Sequence, residues 1–264
     1  MSRSFRALAL AAVAAGTLAG CGGTDTPAAP AGSGSTAPTV SGDITVFAAA
    51  SLTEAFTRIG KDFEAANPGA KVTFNFAGSS ALAQQINQGA PADVFASAAP
   101  TNMKQVTDTG AITDTPAVFV RNKLEIATPA GNPGKVTGLA DFAKQDLKIA
   151  LCAEQVPCGA AARKVFQIAG ITPAPDTLEQ DVKAVLTKVS LGEVDAALVY
   201  RTDVKAAGDK VAGMPFAEAD QAVNDYPIAA CAKAPNSAGA KAFVDYVRSD
   251  KGTAVLTQAG FAAP

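Results

Sequence analysis

Residues 44–63 read ITVFAAASLTEAFTRIGKDF, and this stretch indicates the fold class. Its first four residues are β-branched or aromatic, which is typical of a buried strand. After the small residues at 48–50, apolar side chains recur at helical spacing as far as Phe63, and the sequence NPG at 67–69 ends that pattern. A strand that turns directly into a helix is one βα unit, so the folded part of the chain begins as an α/β protein.

The alternation of strands and helices continues along the chain. Apolar or β-branched runs predict further strands, at 72–76, 93–96, 124–127, 147–151, 196–200 and 226–230. Helical patterns lie between most of these runs, which predicts mainly parallel sheets flanked by helices. The length allows one elongated domain or two lobes. Because the βα units form two sets, we predict two lobes, one of residues 43–124 with 226–264 and one of residues 125–225.

The N-terminus carries an export signal. Arg3 and Arg6 precede an unbroken apolar stretch at 7–15, which is too short to span a bilayer. The sequence LAGC at 18–21 follows, and it resembles the lipobox of bacterial lipoproteins, in which the cysteine becomes the lipid-modified first residue. We therefore predict that Cys21 is lipidated.

The predicted processing divides the N-terminal region into two segments. Residues 1–20 form the signal peptide, and residues 21–42 carry the lipidated cysteine and a flexible tether, since Gly, Ser, Thr, Ala and Pro bury too little apolar surface to fold. This predicts an extracytoplasmic protein that is held to the cell membrane by its N-terminal lipid alone. An ordinary signal peptide, cleaved near Ala19, is the alternative.

The composition excludes several classes of function. The chain has no histidine, so it cannot build a Ser-His-Asp triad, a Cys-His pair or a histidine-ligated zinc site. Its 22 basic and 24 acidic residues give a net charge of −2, which argues against nucleic acid as a partner. A secreted serine-dependent hydrolase remains an alternative, although neither Ser51 nor Ser79 lies in a Gly-x-Ser-x-Gly or Ser-x-x-Lys motif.

Several predicted helices begin with residues that suit anion binding. Ser51 and Ser79 each follow a strand and open a helix, Cys158 does the same later in the chain, and Val182 begins a helix behind Asp181. Ligands of open α/β sheets bind outside the carboxyl ends of the strands. A helix start there offers free backbone N–H groups and the positive end of the helix dipole. Each serine could instead cap its own helix, so both interpretations stay open.

A family resemblance spans residues 43–264. It rests on the opening run at 44–53, AGSSALAQQI at 77–86, GAPADVF at 89–95, VPCG at 156–159, DVKA at 181–184 and LVY at 198–200. Together these motifs resemble the molybdate-binding subunit of bacterial ABC-type molybdate importers, a type II solute-binding protein. The resemblance implies a two-lobed periplasmic-binding-protein fold, with a mainly parallel sheet flanked by helices in each lobe and the ligand in the cleft between the lobes.

The resemblance also implies a ligand site and a biological role. The family's anion pocket falls on Ser51, Ser79, Cys158, Val182 and Tyr200, where position 158 departs from the alanine common in the family. These positions offer neutral hydrogen-bond donors, which suit a fully ionised tetrahedral dianion. The expected ligand is molybdate, with tungstate, delivered by a monomeric, non-enzymatic protein to an ABC permease and its ATPase, with no cofactor. Another oxyanion, such as sulfate, is the alternative ligand.

Three cysteines remain after Cys21. Cys152 and Cys158 flank the same predicted anion loop of an exported protein, so we predict a disulfide between them. Pairing of Cys152 with Cys231 is the competing interpretation. A metal site is a third, and it is disfavoured because no histidine is available.

Overall fold

The computed structural model describes residues 40–264. The predicted signal peptide, the lipidation site Cys21 and the tether up to residue 39 lie outside the described residues. The first strand begins at Ser41, so the end of the predicted tether belongs to the sheet. Ser41 and Gly42 pair with Gly69 and Ala70 of the neighbouring strand, a backbone interaction that their small, polar character does not reveal.

The chain forms ten strands and eight α-helices within residues 40–264. The strands are β1 (Ser41–Ala49), β2 (Gly69–Ala77), β3 (Val94–Ala96), β4 (Ala117–Asn122), β5 (Leu124–Pro129), β6 (Ile149–Cys152), β7 (Thr177–Glu179), β8 (Ala196–Tyr200), β9 (Val211–Met214) and β10 (Asn224–Ala230). The helices are α1 (Thr53–Ala66), α2 (Ser79–Asn87), α3 (Pro100–Thr107), α4 (Pro157–Ala169), α5 (Val182–Ser190), α6 (Arg201–Ala207), α7 (Ser237–Arg248) and α8 (Asp250–Ala259). Short 3₁₀ turns lie at Ala50–Leu52, Leu139–Ala143, Gly208–Lys210 and Ala217–Gln221.

The strands form two five-stranded sheets with the same plan. The first has the order β2-β1-β3-β10-β4, and the second has the order β7-β6-β8-β5-β9. In the first sheet β1 pairs parallel with β2 and β3, while β10 pairs antiparallel with β3 and β4. In the second sheet β6 pairs parallel with β7 and β8, while β5 pairs antiparallel with β8 and β9. Each sheet is therefore mixed, and its parallel half is the half built from βα units.

The chain crosses between the two sheets twice. β4 passes directly into β5 through Lys123, and the chain returns to the first sheet at β10. β5 and β10, the first strand after each crossing, supply all the antiparallel pairing in their sheets. The predicted domain boundaries at residues 124/125 and 225/226 remain a prediction.

Each sheet has its own apolar core. In the first lobe, α1 and α7 bury Phe56, Phe63 and Phe243, with ring centroids 5.4 Å apart for Phe63 and Phe243 in edge-to-face contact. In the second lobe, the ring centroids of Phe142 and Phe166 lie 5.6 Å apart, and both rings pack among the buried residues of α4 and α5. Separate cores favour rigid lobes that can move relative to each other. Among residues 40–264, no helix is both long and apolar enough to cross a bilayer.

Candidate ligand-binding cleft

The five residues predicted for the site line one small cavity between the lobes. The cavity has a volume of about 20 Å³. Its walls are Ala49, Ala50, Ser51, Ala77, Gly78, Ser79, Ala98, Val156, Pro157, Cys158, Asp181, Val182 and Tyr200. The first seven of these residues belong to the first lobe and the last six to the second lobe. The βα turns of both lobes therefore converge, as expected for the carboxyl ends of parallel strands.

The first lobe contributes two buried serines, and neither caps its own helix. Ser51 lies in the 3₁₀ turn after β1, and its Oγ lies 2.9 Å from the Tyr226 hydroxyl. Ser79 is the first residue of α2, and its Oγ accepts a hydrogen bond from the Ala98 N–H at 3.0 Å. Since Gly78 precedes α2 without a side-chain cap, the first N–H groups of this helix have no capping side chain.

The second lobe contributes two helix starts. α4 begins with Pro157 and then Cys158, and its preceding residue Val156 gives no side-chain cap. α5 begins with Val182, while the Asp181 carboxylate accepts hydrogen bonds from the next two amides. That cap leaves the Val182 N–H without a side-chain partner, because the carboxylate accepts from the Lys183 and Ala184 amides instead. Both helix starts thus direct positive dipole ends toward the cavity.

A disulfide joins Cys152 at the end of β6 to Cys158 in α4. It closes the loop that leads into the cavity. Gly159 follows directly, and a Cβ there would lie 1.9 Å from the Ala153 carbonyl oxygen, so the loop is held against the helix start with no room for a side chain. Within residues 40–264 the remaining cysteine, Cys231, is free and buried, and burial raises the pKa of its thiol to about 12.

Tyr200, at the end of β8, brings an unpaired donor to the cavity. Its side chain is 1 % exposed, and its hydroxyl has no hydrogen-bond partner among the described residues. Burial raises the pKa of this phenol well above its ordinary value, so it remains protonated and able to donate. A buried hydroxyl left without a partner costs about 1–3 kcal/mol, which a ligand that accepts its hydrogen bond would recover.

A charged cluster crosses the cleft beside the cavity. Lys183 on α5 lies with its Nζ 2.8 Å from the Glu54 carboxylate on α1 and 3.0 Å from Asp203 Oδ1 on α6. Asp203 is fully buried, which raises its pKa to about 6, and its Oδ2 accepts a hydrogen bond from the Tyr200 N–H. Burial would lower the pKa of Lys183, but the carboxylates of Asp203 and Glu54 outweigh it and raise the pKa. The ion pair of Lys183 and Glu54 therefore joins the two lobes.

The lobes also touch through backbone at Gly78. A Cβ at this position would lie 2.2 Å from the Gln180 carbonyl oxygen and 2.9 Å from Val156 Cγ1, both in the second lobe. Only glycine permits this approach. Within the part of the chain that the structure describes, no group of three or more Cys, Asp or Glu side chains is placed to hold a metal ion.

The sequence did not identify the residues behind the cavity wall. Tyr226 contacts Ser51, Asn122 lies behind Tyr226, and Lys183 and Glu54 pair across the cleft, but none of them was predicted as a site residue. Lys183 stands next to Val182 in a motif that was recognised, which is a signal for its position. Tyr226 lies 175 residues from the serine that it contacts, so no local pattern could have shown the pairing.

A family model described as bacterial extracellular solute-binding protein matches residues 44–262. The match spans both lobes and all five residues predicted for the site. The chain belongs to this family. The family predicted from the sequence motifs is confirmed, and so is the prediction of an extracytoplasmic protein.

Similar proteins agree with this assignment. The solute-binding protein is 43 % identical over 248 residues to the molybdate-binding protein ModA of Mycobacterium tuberculosis, covering 94 % of this chain and 93 % of the relative. It is 32 % identical to the molybdate-binding protein ModA of Haemophilus influenzae, covering 84 % of this chain and 91 % of the relative. The structure of the periplasmic molybdate-binding protein of Azotobacter vinelandii matches with a TM-score of 0.70 at 21 % identity, over 84 % of this chain and 99 % of that one. The predicted two-lobed periplasmic-binding-protein fold is confirmed.

Proposed function

We propose that this solute-binding protein captures molybdate, and with it tungstate, between its lobes and delivers the anion to an ABC permease. The observation that carries the proposal is the convergence of five donor positions, Ser51, Ser79, Cys158, Val182 and Tyr200, on one cavity. The names of the relatives from Mycobacterium and Haemophilus support the choice of molybdate.

The chemistry of the cavity favours a dianion without a proton. The two helix starts of the second lobe offer backbone N–H groups, and the Tyr200 phenol is a buried donor without a partner. Donors that are fixed in advance and shielded from water stabilise negative charge more strongly than donors at a surface. An oxyanion that only accepts hydrogen bonds matches this set.

The size of the cavity favours a small ligand. The lobes leave a volume of about 20 Å³ between the site residues, which suits a small ligand better than a sugar or a peptide. Sulfate is the second candidate, since it presents the same acceptors in a smaller shell. Sulfate and molybdate have the same charge and shape, so the choice between them depends on how closely the closed cleft packs around each ion.

Catalysis is not part of the proposed role. Ser51 contacts the Tyr226 phenol and Ser79 accepts from a backbone N–H, so within the described residues neither hydroxyl is hydrogen-bonded to a general base. We also propose that lipidated Cys21 anchors the protein to the cell membrane, that the protein acts as a monomer, and that the permease and its ATPase are its partners.

A panel of oxyanions in a thermal-shift assay tests the ligand. Molybdate or tungstate at about a thousand times its dissociation constant should add about 4 kcal/mol to the free energy of unfolding and raise the melting temperature by several degrees. Sulfate at equal concentration should raise it less. A melting temperature that rises with sulfate and not with molybdate would overturn the assignment of the ligand.

A further inference from the structure

A hydrogen-bonded chain lies behind Ser51 on the side away from the cavity. Ser51 Oγ is 2.9 Å from the Tyr226 hydroxyl, and both side chains are buried. From this distance alone, either oxygen could be the donor. A hydroxyl has one proton to donate and two lone pairs that accept. The direction of this hydrogen bond therefore decides whether Ser51 offers a ligand its proton or only its lone pairs.

Asn122 sets the direction of these hydrogen bonds. Its Oδ1 accepts a hydrogen bond from the Lys123 N–H at 3.0 Å, which fixes the orientation of the amide. Its Nδ2 therefore faces the other way, 2.8 Å from Thr202 Oγ1 and 3.5 Å from the Tyr226 hydroxyl. The contact with Tyr226 is long, but an amide N–H₂ group on that side gives the Tyr226 proton nothing to bond to.

The Tyr226 proton therefore points to Ser51. The phenol keeps this proton, because burial raises the pKa of Tyr226. The Tyr200 hydroxyl also lies near Tyr226 but makes no hydrogen bond of good geometry, which leaves Ser51 Oγ as the acceptor, so Tyr226 donates and Ser51 accepts. The Ser51 proton cannot return along the same line and is left for the cavity.

Ser79 has the same arrangement by a different route. Its Oγ accepts from the Ala98 N–H, so its proton is also left for the cavity. In both serines, a donor from the first lobe occupies an acceptor site behind the hydroxyl. The orientation of the serine protons is thus built into the first lobe before the lobes close.

On the basis of the proposed function, we propose that Tyr226 and Asn122 are positioning residues that fix the Ser51 hydroxyl as a donor and thereby set the selectivity for oxyanions without a proton. Neither residue lines the cavity. A protonated oxyanion such as hydrogen arsenate carries an O–H donor, and this donor faces other donors in the cavity instead of an acceptor. Molybdate, of the same charge at slightly alkaline pH, brings acceptors alone.

The test reverses the direction of the hydrogen bonds between residue 122, Tyr226 and Ser51. In Asn122→Asp, Oδ1 can still accept from the Lys123 N–H, but the second carboxylate oxygen replaces the amide nitrogen and accepts the Tyr226 proton. Tyr226 then accepts from Ser51, and Ser51 shows only lone pairs to the cavity. Affinities for molybdate and hydrogen arsenate are measured by calorimetry at pH 8 in the full-length protein. We expect the ratio of the two affinities to fall on the order of tenfold. Repulsion by the new charge acts on both dianions alike and cancels in the ratio.

The double variant Asn122→Asp/Tyr226→Phe separates the effect of hydrogen-bond direction from the effect of the added negative charge. Without the Tyr226 hydroxyl, the carboxylate cannot reach Ser51, so Asn122→Asp should leave the ratio unchanged in the Tyr226→Phe background. An equal fall in the ratio in both backgrounds, or no fall in either, would overturn the proposal.

Two further measurements keep the outcome clear. If Asn122→Asp does not fold, Tyr226→Phe alone should weaken molybdate binding several-fold, whereas Tyr246→Phe, the same change at a position outside the cavity, should not. Equal affinities of these two variants would then overturn the proposal. A wild-type protein that binds sulfate but not molybdate overturns the proposed ligand instead, and the same ratio is then measured for sulfate against hydrogen phosphate.

Discussion

Replacing Gly78 by alanine should weaken ligand binding without weakening the fold. Gly78 has φ −59° and ψ 134°, a conformation that alanine adopts without strain. Inside its own lobe the new methyl group meets no close neighbour among the nearest atoms, because the atoms in its way are the Gln180 carbonyl and Val156 of the second lobe. The substitution therefore acts on the closure of the lobes.

The magnitude follows from the distances. The added Cβ would lie 2.2 Å from the Gln180 oxygen, whereas ordinary contact begins at 3.4 Å, so the lobes must separate by about 1.2 Å at this point. Hydrogen bonds to charged oxygens are about 2.7–2.9 Å long, and a separation of this size breaks those made by one lobe. Loss of one or two such bonds, at about 1.5–3 kcal/mol each, predicts a dissociation constant raised on the order of 100-fold.

Calorimetric titration with molybdate and melting of the ligand-free protein measure the two effects. The melting temperature of Gly78→Ala without ligand should match that of the wild type, and its affinity should be lower. Gly138→Ala is the matched control, because its backbone is extended and a Cβ there meets no atom within 4 Å. An unchanged affinity in Gly78→Ala would refute the argument, since it would mean that the lobes do not meet at Gly78 around the ligand.

Three other predictions follow from the site. Tyr200→Phe should lower molybdate affinity on the order of 10- to 150-fold with the melting temperature of the ligand-free protein retained, since its hydroxyl has no partner among the described residues; titration calorimetry of the variant checks this. Peptide mapping without reductant should find Cys152 joined to Cys158, and Cys152→Ser/Cys158→Ser should lose about 2 kcal/mol of stability in urea denaturation; free thiols would contradict the pairing. The pKa of Asp203 is about 6 in the folded protein against 3.8 in the reference state, so the folded protein binds the extra proton between these values and stability falls as pH rises through that window. Asp203→Asn should remove this fall, which is up to about 3 kcal/mol for a shift of about two units, in urea titrations at pH 4 and pH 6.5.

The sequence determined the elements whose pattern is local. The run at 44–63 predicts a buried strand and an amphipathic helix, and β1 and α1 lie there. Burial on both faces of a central strand requires a continuous apolar run, and burial on one face of a helix imposes a helical periodicity. The same reasoning located the helix starts at Ser79, Cys158 and Val182, and the family motifs added Tyr200. Those positions meet at the cavity because the carboxyl ends of parallel strands share one edge of a sheet.

The sequence did not reveal three of the four strands at the sheet edges. β4, β7 and β9 were not predicted, whereas the fourth edge strand, β2, was predicted at 72–76. An edge strand pairs on one side only and exposes part of its length, as Ala212 and Gly213 in the middle of β9 do, so no continuous apolar run marks it. The antiparallel pairing in each sheet was not predicted either, since the residue pattern of a strand does not show which way it runs beside its neighbour.

Only the tertiary structure decided how the site works. The closure at Gly78, the ion pair between Glu54 and Lys183, and the hydrogen bond from Tyr226 to Ser51 join residues that lie about a hundred or more positions apart in the chain. Contacts of this kind leave no periodic trace, because each depends on two groups that meet only once the chain has folded. The contact at Gly78 and the ion pair between Glu54 and Lys183 also need the two lobes to close. The positions of the donors are therefore a property of the sequence pattern, and the direction of their protons is a property of the fold.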